Sequence, residues 1–298
     1  MSALSVVRGI VAHMTDERYS RLAAEHLPGD VARRWTALLR PCVRLRRAVD
    51  GEPAVATLGG NPQLPAGIGW PEWPGHGPLS FIASVRCDEL PREGLAEQFP
   101  QDGTLLFFSF DGRTDSDAFV SADDPDTWGG AQVLYVPENT PVFATPAPAH
   151  LEPFPRVDLT GETEQSAPDL WLPQTRRALL GDGREWPDHP RETPAELKPF
   201  LRSFGRLRTR TGHQIGGHAI PVQGPVEYEI AHGELGGTHA WGDQAHDQEA
   251  ERWVLLAQFD SDGDAKMEWG DVGSLYWLIR SEDLAAHRFG QVRLTVQC

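Results

Sequence analysis

The first 44 residues carry a helical pattern of apolar positions. Val31, Trp35 and Leu39 recur every four residues, which places their side chains on one face of an α-helix. A Pro28-Gly29-Asp30 break interrupts this region, and Asp30 has the side chain of an N-cap residue. The pattern predicts short helices between residues 16 and 40, within an N-terminal helical segment over residues 1–44.

Short apolar runs follow and predict strands. The stretch from Cys42 to Leu58 predicts a strand, a turn at Asp50-Gly51 and a second strand. Further strand-like runs lie at residues 79–85, 105–110, 132–136, 253–259, 274–280 and 291–297, with more strand character between residues 207 and 230. Many short strands with few helices indicate an α+β fold with a mostly antiparallel, β-rich core.

A proline-rich stretch separates the two groups of strands. Residues 137–200 hold 12 of the 25 prolines and few apolar residues, so we expect an irregular segment. We interpret residues 137–204 as an insertion that wraps over the surface, with a lid or a partner-binding arm as the alternative. Residues 231–252 are rich in Gly, His and acidic side chains, and we expect a loop there.

Two segments of the chain resemble each other. Each has a Gly-Gly loop, an apolar strand, an acidic turn and an aromatic strand that begins at glycine. The first comprises Gly59-Gly60, Phe81–Val85, Asp88 and Gly103–Phe108, and the second comprises Gly216-Gly217, Leu255–Phe259, Asp260 and Gly273–Leu278. The similarity predicts a diverged internal duplication, with β units at residues 45–136 and 205–298 of a single domain that spans residues 1–298.

Composition and charge limit which cellular compartment and which classes of partner we expect. The formal net charge is −16, and the one local basic cluster, Arg40 to Arg47, is interpreted as a strand or helix end with a solvated face rather than as a phosphate-binding surface. No run of about 18 apolar residues occurs, and Met1–Ala12 lacks the basic start and cleavage site of a signal peptide. Three scattered cysteines fit a reducing compartment. We expect a soluble, cytoplasmic protein that binds neither nucleic acid nor membranes.

Spaced Trp, Gly and Pro residues resemble a known bacterial family. The matching motifs are Gly59-Gly60-x-Pro62-x-Leu64-Pro65, Pro78-Leu79-x-Phe81-Ile82-Ala83, Asp102-Gly103-x-Leu105-x-Phe107-Phe108, His213-x-Ile215-Gly216-Gly217, Trp253-x-Leu255-Leu256-x-Gln258-x-Asp260 and Trp269-Gly270-Asp271-x-Gly273. In these motifs the chain resembles the YwqG-like family, over about residues 45–136 and 205–298. The resemblance implies an α+β fold and no established activity. Some relatives are thought to act as immunity proteins beside bacterial toxins.

The resemblance has one departure. Ser84 stands where the family usually has a glutamine after the Phe-x-Ala strand. If that glutamine pairs with Gln258 across the repeat, this chain has lost one member of the pair.

An acidic loop is a candidate cation site. Residues 260–271 place carboxylates at positions 1, 3, 5, 9 and 12, which superficially matches an EF-hand. Ala265 replaces the glycine expected at position 6, and Asp271 replaces the bidentate glutamate at position 12. We therefore favour a solvated hairpin loop, and we expect no cofactor or resident metal.

Histidines and glycine pairs offer weaker signals. Five histidines lie between His213 and His246 without zinc-ligand spacing. His213 opens the second Gly-Gly motif, where it is either a structural histidine or a ligand contact or general base. The Gly-Gly pairs lack the spacing of a nucleotide-binding loop. Cys42 and Cys87 lie in apolar runs, where cysteines usually pack.

The leading hypothesis is a binding or interaction protein with a cleft between the two β units. Trp70, His213, Gln223, Gln258, Trp269 and Asp271 would line it, with Asp260 and Arg280 as further polar groups. A protein or peptide partner is expected, and an immunity-type or accessory role, in which the acidic surface masks a basic toxin, is one version. The alternative is a metal-assisted or His-dependent enzyme that uses His213 with Asp260 or Asp271. Whether any reaction is catalysed, and the oligomeric state, do not follow from the residues.

Overall fold

A ten-stranded antiparallel sheet is the framework of the chain in the computed structural model, which describes residues 17–113, 115, 117–186, 192–208, 212–241 and 243–298. The strands are β1 Arg40–Arg47, β2 Ala56–Leu58, β3 Gln63–Pro65, β4 Glu72–Trp73, β5 Gly77–Pro78, β6 Ser80–Arg86, β7 Thr104–Ser109, β8 Ala131–Val136, β9 Val142–Ala144, β10 Val157–Ser166, β11 Gln214–Ile215, β12 Trp253–Asp260, β13 Ser274–Arg280 and β14 Arg293–Gln297. The helices are α1 Arg18–His26, α2 Gly29–Thr36, α3 Pro173–Leu180, α4 Lys198–Leu207, α5 Val226–Glu234, α6 Gln244–Ala250 and α7 Ser281–Ala285. The expected α+β class with a β-rich core is confirmed.

The sheet has two halves that meet at β1 and β10. Its order is β14-β13-β12-β11-β1-β10-β2-β6-β7-β8, and the neighbouring strands are antiparallel. We call β10, β2, β6, β7 and β8 the β8 half, and β1, β11, β12, β13 and β14 the β14 half. Two short ribbons, β3–β9 and β4–β5, accompany the sheet.

The sheet curves so that its two halves face each other. The ring of Phe107 on β7 lies 5.1 Å from that of Phe259 on β12 and 5.4 Å from that of Trp277 on β13, measured between centroids. All three side chains are fully buried. The main hydrophobic core therefore lies between the halves, because the apolar runs of both supply its side chains.

A second core lies among helices outside the sheet. Trp35 of α2 contacts Phe200 and Phe204 of α4 at 4.9 and 5.8 Å between ring centroids. The predicted N-terminal helices are present, but Asp30 is not the N-cap. Helix α2 begins at Gly29, directly after Pro28, and Asp30 accepts a hydrogen bond from Arg34 in the first turn.

The proline-rich stretch contains a central strand, so the expectation of an irregular segment is wrong for residues 157–166. Strand β10 pairs with β1 along one edge and with β2 along the other. It therefore separates the two strands expected to flank the turn at Asp50-Gly51. Its sequence is weakly apolar because alternate residues face outward, while Val157 and Leu159 are buried.

Two further segments are helical rather than strand or loop. Helix α5 occupies residues 226–234, where strand character was expected, and buries Val226 and Ile230 against the outer face of β12 and β13. Helix α6 occupies residues 244–250 of the expected loop. The Asp243 carboxylate caps it by accepting the His246 backbone N–H at 2.8 Å. Packing and this cap outweigh the polar, glycine-rich composition.

None of the described helices combines the length and the apolar character needed to cross a membrane. The expectation about a signal peptide concerned residues 1–12, which lie outside the described part of the chain.

Candidate functional site

Three of the predicted site residues meet in one buried hydrogen-bond chain. The Gln258 amide oxygen accepts the Ile220 backbone N–H at 3.0 Å, and the Gln258 Nε2 donates to Asp260 Oδ1 at 2.9 Å. The Asp260 backbone N–H in turn donates to His213 Nδ1 at 3.1 Å. Gln258 and Gln214 are register partners on β12 and β11, which brings these groups together behind the second Gly-Gly loop.

His213 completes this chain at its outer end. Because Nδ1 accepts a hydrogen bond, the proton lies on Nε2, which is 3.4 Å from Asp262 Oδ2. The hydrogen bond from His213 lowers the pKa of the Asp262 carboxyl. Ser274 donates its hydroxyl to Asp260 at 2.8 Å. These polar groups therefore hydrogen-bond to one another. His213 acts as a structural histidine that connects β11 to the β12–β13 connection.

The other predicted residues lie apart from this chain. Trp70 donates its Nε1–H to the Leu79 carbonyl at 2.8 Å and packs against the core, so it anchors the proline-rich loop after β3. Gln223 donates its Nε2–H to the Cys298 carbonyl at 2.6 Å, and Asp271 is exposed. The eight predicted residues therefore do not form one common cleft.

Arg280 belongs to an ion-pair network instead. Its Nη2 lies 2.7 Å from both Glu234 Oε2 and Glu249 Oε1, and its guanidinium lies 4.7 Å from the ring centre of Trp253. Arg293 extends the network through Glu234 at 2.8 Å. Acidic partners on α5 and α6 thus hold both helices against the sheet.

A cleft of about 610 Å³ lies between the two halves of the sheet. We call it the inter-half cleft. The β8 half contributes the end of β7 and the loop after it, and the β14 half contributes β13, β14 and residues 268–270. The lining residues are Ser109, Phe110, Asp111, Gly112, Ala118, Phe119, Val120, Ser121, Ala122, Asp123, Glu229, Trp241, Glu268, Trp269, Gly270, Leu275, Thr295 and Val296. Of the predicted site residues, this set contains Trp269.

Two exposed aromatic side chains stand at this cleft. Phe119 is 71% exposed and Trp241 is 59% exposed, although both are large and apolar. The Trp241 indole stacks on the His232 ring at 5.5 Å with 20° between the planes. Trp269 is only 7% exposed, and its indole N–H has no hydrogen-bond acceptor among the described residues. The cleft therefore offers aromatic surface, and its wall contains a buried, unpaired donor.

The charged residues that line the cleft are all acidic. They are Asp111, Asp123, Glu229 and Glu268. Asp111 is neutralised by Arg113, whose Nε lies 2.6 Å from its Oδ2. Glu229 on α5 instead accepts hydrogen bonds from two neutral side chains, the Thr295 hydroxyl and the Gln297 amide. Burial, with the charge of Asp123, raises the pKa of the Glu229 carboxyl.

Metal ligation finds no matching geometry in the described ranges, where no three His, Cys, Asp or Glu side chains are placed to hold an ion. In the acidic loop at residues 260–271, Asp262 accepts the Ala265 backbone N–H at 2.7 Å, and Asp264 pairs with Arg47. The loop closes the β12–β13 connection, with a bridge between Asp262 and Met267.

Phe119, Trp241 and Glu229 are the functionally most telling of the cleft residues that sequence reasoning missed. Phe119 follows an Asp-rich turn, and Trp241 lies in a segment rich in Gly and His. A large aromatic side chain within a polar loop was the available signal, since it has no neighbouring apolar run to join. Glu229 carried no such signal because its segment was expected to be a strand.

Comparison with known proteins identifies a family but no activity. None of the curated proteins compared with the chain matches it. The model of one family matches residues 56–298, a range that begins at the first residue of β2. The chain thus belongs to the family described as Domain of unknown function (DUF1963).

Proposed function

We propose that this protein is a binding protein whose partner inserts a peptide segment into the inter-half cleft. The observation that carries the proposal is the pair of exposed aromatic side chains, Phe119 and Trp241, at a cleft of about 610 Å³. Ligand sites in proteins typically occupy about 300–1,000 Å³ and are lined by apolar and aromatic groups with a few polar ones.

Exposure of these two side chains has a free-energy cost that ligand binding would recover. Removing apolar surface from water contributes about 25 cal/mol per Å², and aromatic side chains dominate the energetics of protein interfaces. Phe119 and Trp241 lie 122 residues apart in the chain, yet they line the same cleft. A common ligand accounts for this convergence.

A diverged internal duplication would also place a site between the halves. The strand order can be paired from both ends, β8 with β14, β7 with β13, β6 with β12, β2 with β11 and β10 with β1. On β2 and β6 the register partners are Thr57 and Ser84, at the positions that Gln214 and Gln258 occupy on β11 and β12. In this interpretation β1 and β10 are the first strands of the two copies, and each lies in the other copy's half.

Ser84 and Gln258 would then be equivalent residues rather than a pair in contact. Ser84 bonds to Thr57, with 2.7 Å between their hydroxyl oxygens, whereas Gln258 belongs to the buried chain behind the second Gly-Gly loop. The site between the copies would therefore not depend on a glutamine at position 84. This pattern fits the YwqG-like resemblance, and an immunity-type role toward a basic partner is the most specific form of the proposal.

The test is selection of binding peptides from a random displayed library. We expect wild-type protein to enrich peptides whose binding is lost in a Phe119→Ala/Trp241→Ala variant. The matched control is Phe143→Ala/Trp171→Ala, which removes two similarly exposed aromatics from outside the cleft. Binding that survives the cleft substitutions, or is lost equally in the control, would contradict the proposal.

A further inference from the structure

We infer that the inter-half cleft recognises the guanidinium group of an arginine side chain in the partner peptide. This inference rests on the proposed function and names the chemistry of its ligand. It follows from the charge, the aromatic surface and the unpaired donor that line one cavity.

The cleft has an excess of negative charge that its own surroundings leave uncompensated. Its lining includes four acidic side chains and no lysine or arginine. Asp111 has Arg113 as a partner, but for Asp123, Glu229 and Glu268 no ion pair occurs within the described ranges. Like charges gathered at a partly buried site repel one another, and a cation placed among them relieves that repulsion.

Glu229 is the clearest example of a cleft carboxyl group without a cationic partner. It is half-buried, and the groups that donate to it are a hydroxyl and an amide rather than a cation. Burial and the charge of Asp123 both favour its neutral form. A guanidinium at this carboxylate would restore the charged form and add charge-assisted hydrogen bonds, which are stronger than neutral ones.

The aromatic surface favours arginine over a compact cation. A guanidinium is planar, is weakly hydrated and stacks on aromatic faces, whereas an ammonium is a strongly hydrated point charge. Cation–π contacts are stronger when the ring and the cation are removed from water than at exposed sites. The protein already uses this contact nearby, since the Arg113 guanidinium lies 4.3 Å from the ring centre of Phe154, which packs edge-on against Trp269 at 5.8 Å.

The unpaired indole N–H favours a peptide over a free amine. Trp269 is 7% exposed, lines the cleft and lacks an acceptor in the part of the chain that the structure describes. A buried donor without an acceptor destabilises the protein, because it has lost its hydrogen bond to water. The indole nitrogen itself is covered, so a backbone carbonyl beside the arginine would accept this hydrogen bond once the indole turns toward the cleft, and a free alkyl guanidine has no such oxygen. The carboxylate acceptors and the unpaired indole donor thus match the two parts of an arginyl peptide, its guanidinium and its backbone carbonyl.

The test uses acetyl-Gly-Arg-Gly-amide, its citrulline analogue and agmatine, followed by NMR of the indole N–H signals. Citrulline keeps the shape of arginine but is neutral, and agmatine carries the guanidinium without peptide carbonyls. We expect the arginyl peptide to shift the signals of Trp241 and Trp269, assigned from Trp→Phe variants, at concentrations where citrulline and agmatine do not. Equal binding of the citrulline peptide would overturn the inference, and equal binding of agmatine would overturn the peptide source.

Charge-removing variants distinguish recognition in the cleft from general attraction to a negatively charged protein. We expect Glu229→Gln to weaken arginyl-peptide binding about tenfold and Asp123→Asn, which lies at an exposed position, about threefold. Glu196→Gln removes the same charge from an exposed site outside the cleft and should leave affinity within about twofold. An equal loss in Glu196→Gln would show that only net charge matters, and this would overturn the inference.

The two proposals fail in different ways. Peptide binding that ignores Phe119 and Trp241 refutes the cleft as the binding site. Library peptides that need those two residues, yet bind equally with citrulline in place of arginine, leave the cleft as the site and refute only arginine recognition.

Discussion

Glu227 provides the sharpest test of the packing, because the structure buries a carboxyl group beneath α5. The side chain is only 7% exposed, and burial raises its pKa from the ordinary value of 4.5 to about 7. Asp169 adds to this increase, while Arg40 and Arg208 oppose it. We predict that Glu227→Gln stabilises the protein at pH 8 much more than at pH 5.

The sign follows from the direction of the pKa change. A carboxyl whose pKa is higher in the folded than in the unfolded protein contributes full stability below the unfolded pKa. That contribution is lost as the pH rises through the folded pKa. Above pH 7, the folded protein must either bury a charged carboxylate or keep protonated a carboxyl group that would be ionised in water. Glutamine has a similar shape and no such pH dependence.

The magnitude follows from the two pKa values. The change from 4.5 to about 7 corresponds to roughly 3 kcal/mol of stability lost at high pH. Part of this loss is already present at pH 5, so the advantage of the variant should grow by roughly 2 to 3 kcal/mol between pH 5 and pH 8. Burial is nearly complete, so solvent screening does not reduce this value appreciably.

The assay is urea unfolding followed by tryptophan fluorescence at both pH values. Only the difference between variant and wild type is interpreted, because other groups also titrate. Burial lowers the pKa of His218 to about 3 from 6.5, so its contribution is present above pH 6.5 and is lost as the pH falls. That contribution cancels in the difference. Glu196→Gln, at an exposed position, is the control.

An advantage of Glu227→Gln that is the same at pH 5 and pH 8 would refute this reasoning. It would mean that the carboxyl has an ordinary pKa in the folded protein, either because water reaches it or because the arginines compensate its charge.

Three further predictions concern packing and access. Gly217→Ala should lower the free energy of unfolding in urea by roughly 3 kcal/mol or more, because φ is +72° and the new Cβ would lie 2.5 Å from the Ser166 hydroxyl oxygen. Gly216→Ala should lower it by only about 1 kcal/mol, because the nearest atom to its Cβ would be 3.5 Å away. Equal losses for the two variants would contradict the described contacts. Phe200→Ala, at the centre of the helical core, should lower the free energy of unfolding by about 3–5 kcal/mol. A loss below about 1 kcal/mol would show that α4 is not packed as described. In a thiol-reagent assay at pH 8, exposed Cys298 should react rapidly, whereas Cys42 and Cys87 should react only on unfolding. Burial raises the pKa of both buried thiols to about 12, so little reactive thiolate is present. Fast reaction of all three cysteines would disprove that burial.

Several elements of the fold could be predicted because their signals are local. Strands β6, β7, β12 and β13 follow from continuous apolar runs, which only burial on both faces of a sheet accommodates. The helical break before α2 follows from Pro28 and Gly29, whose backbone preferences act within one turn. These features hold wherever the segment lies in the molecule.

Other elements depended on neighbours that the sequence does not reveal. Strand β10 is polar at alternate positions and lies in a proline-rich stretch, yet pairing along both edges makes it central. Helices α5 and α6 formed where composition favoured strand or loop, because the apolar face of α5 covers the sheet and Asp243 caps α6. Tertiary contacts outweigh propensities of a few tenths of a kcal/mol per residue.

The candidate site shows the same division. Gln258 and Asp260 could be placed together in advance, because they lie two residues apart in one motif, whereas His213 belongs to a separate motif and meets them through the pairing of β11 with β12. Long-range packing determines that the hydrogen bonds of these three residues are used internally, and that Phe119 and Trp241 line a cleft with Glu229. Those cleft residues come from separate segments and converge when the sheet curves, and that convergence depends on long-range packing rather than on local spacing.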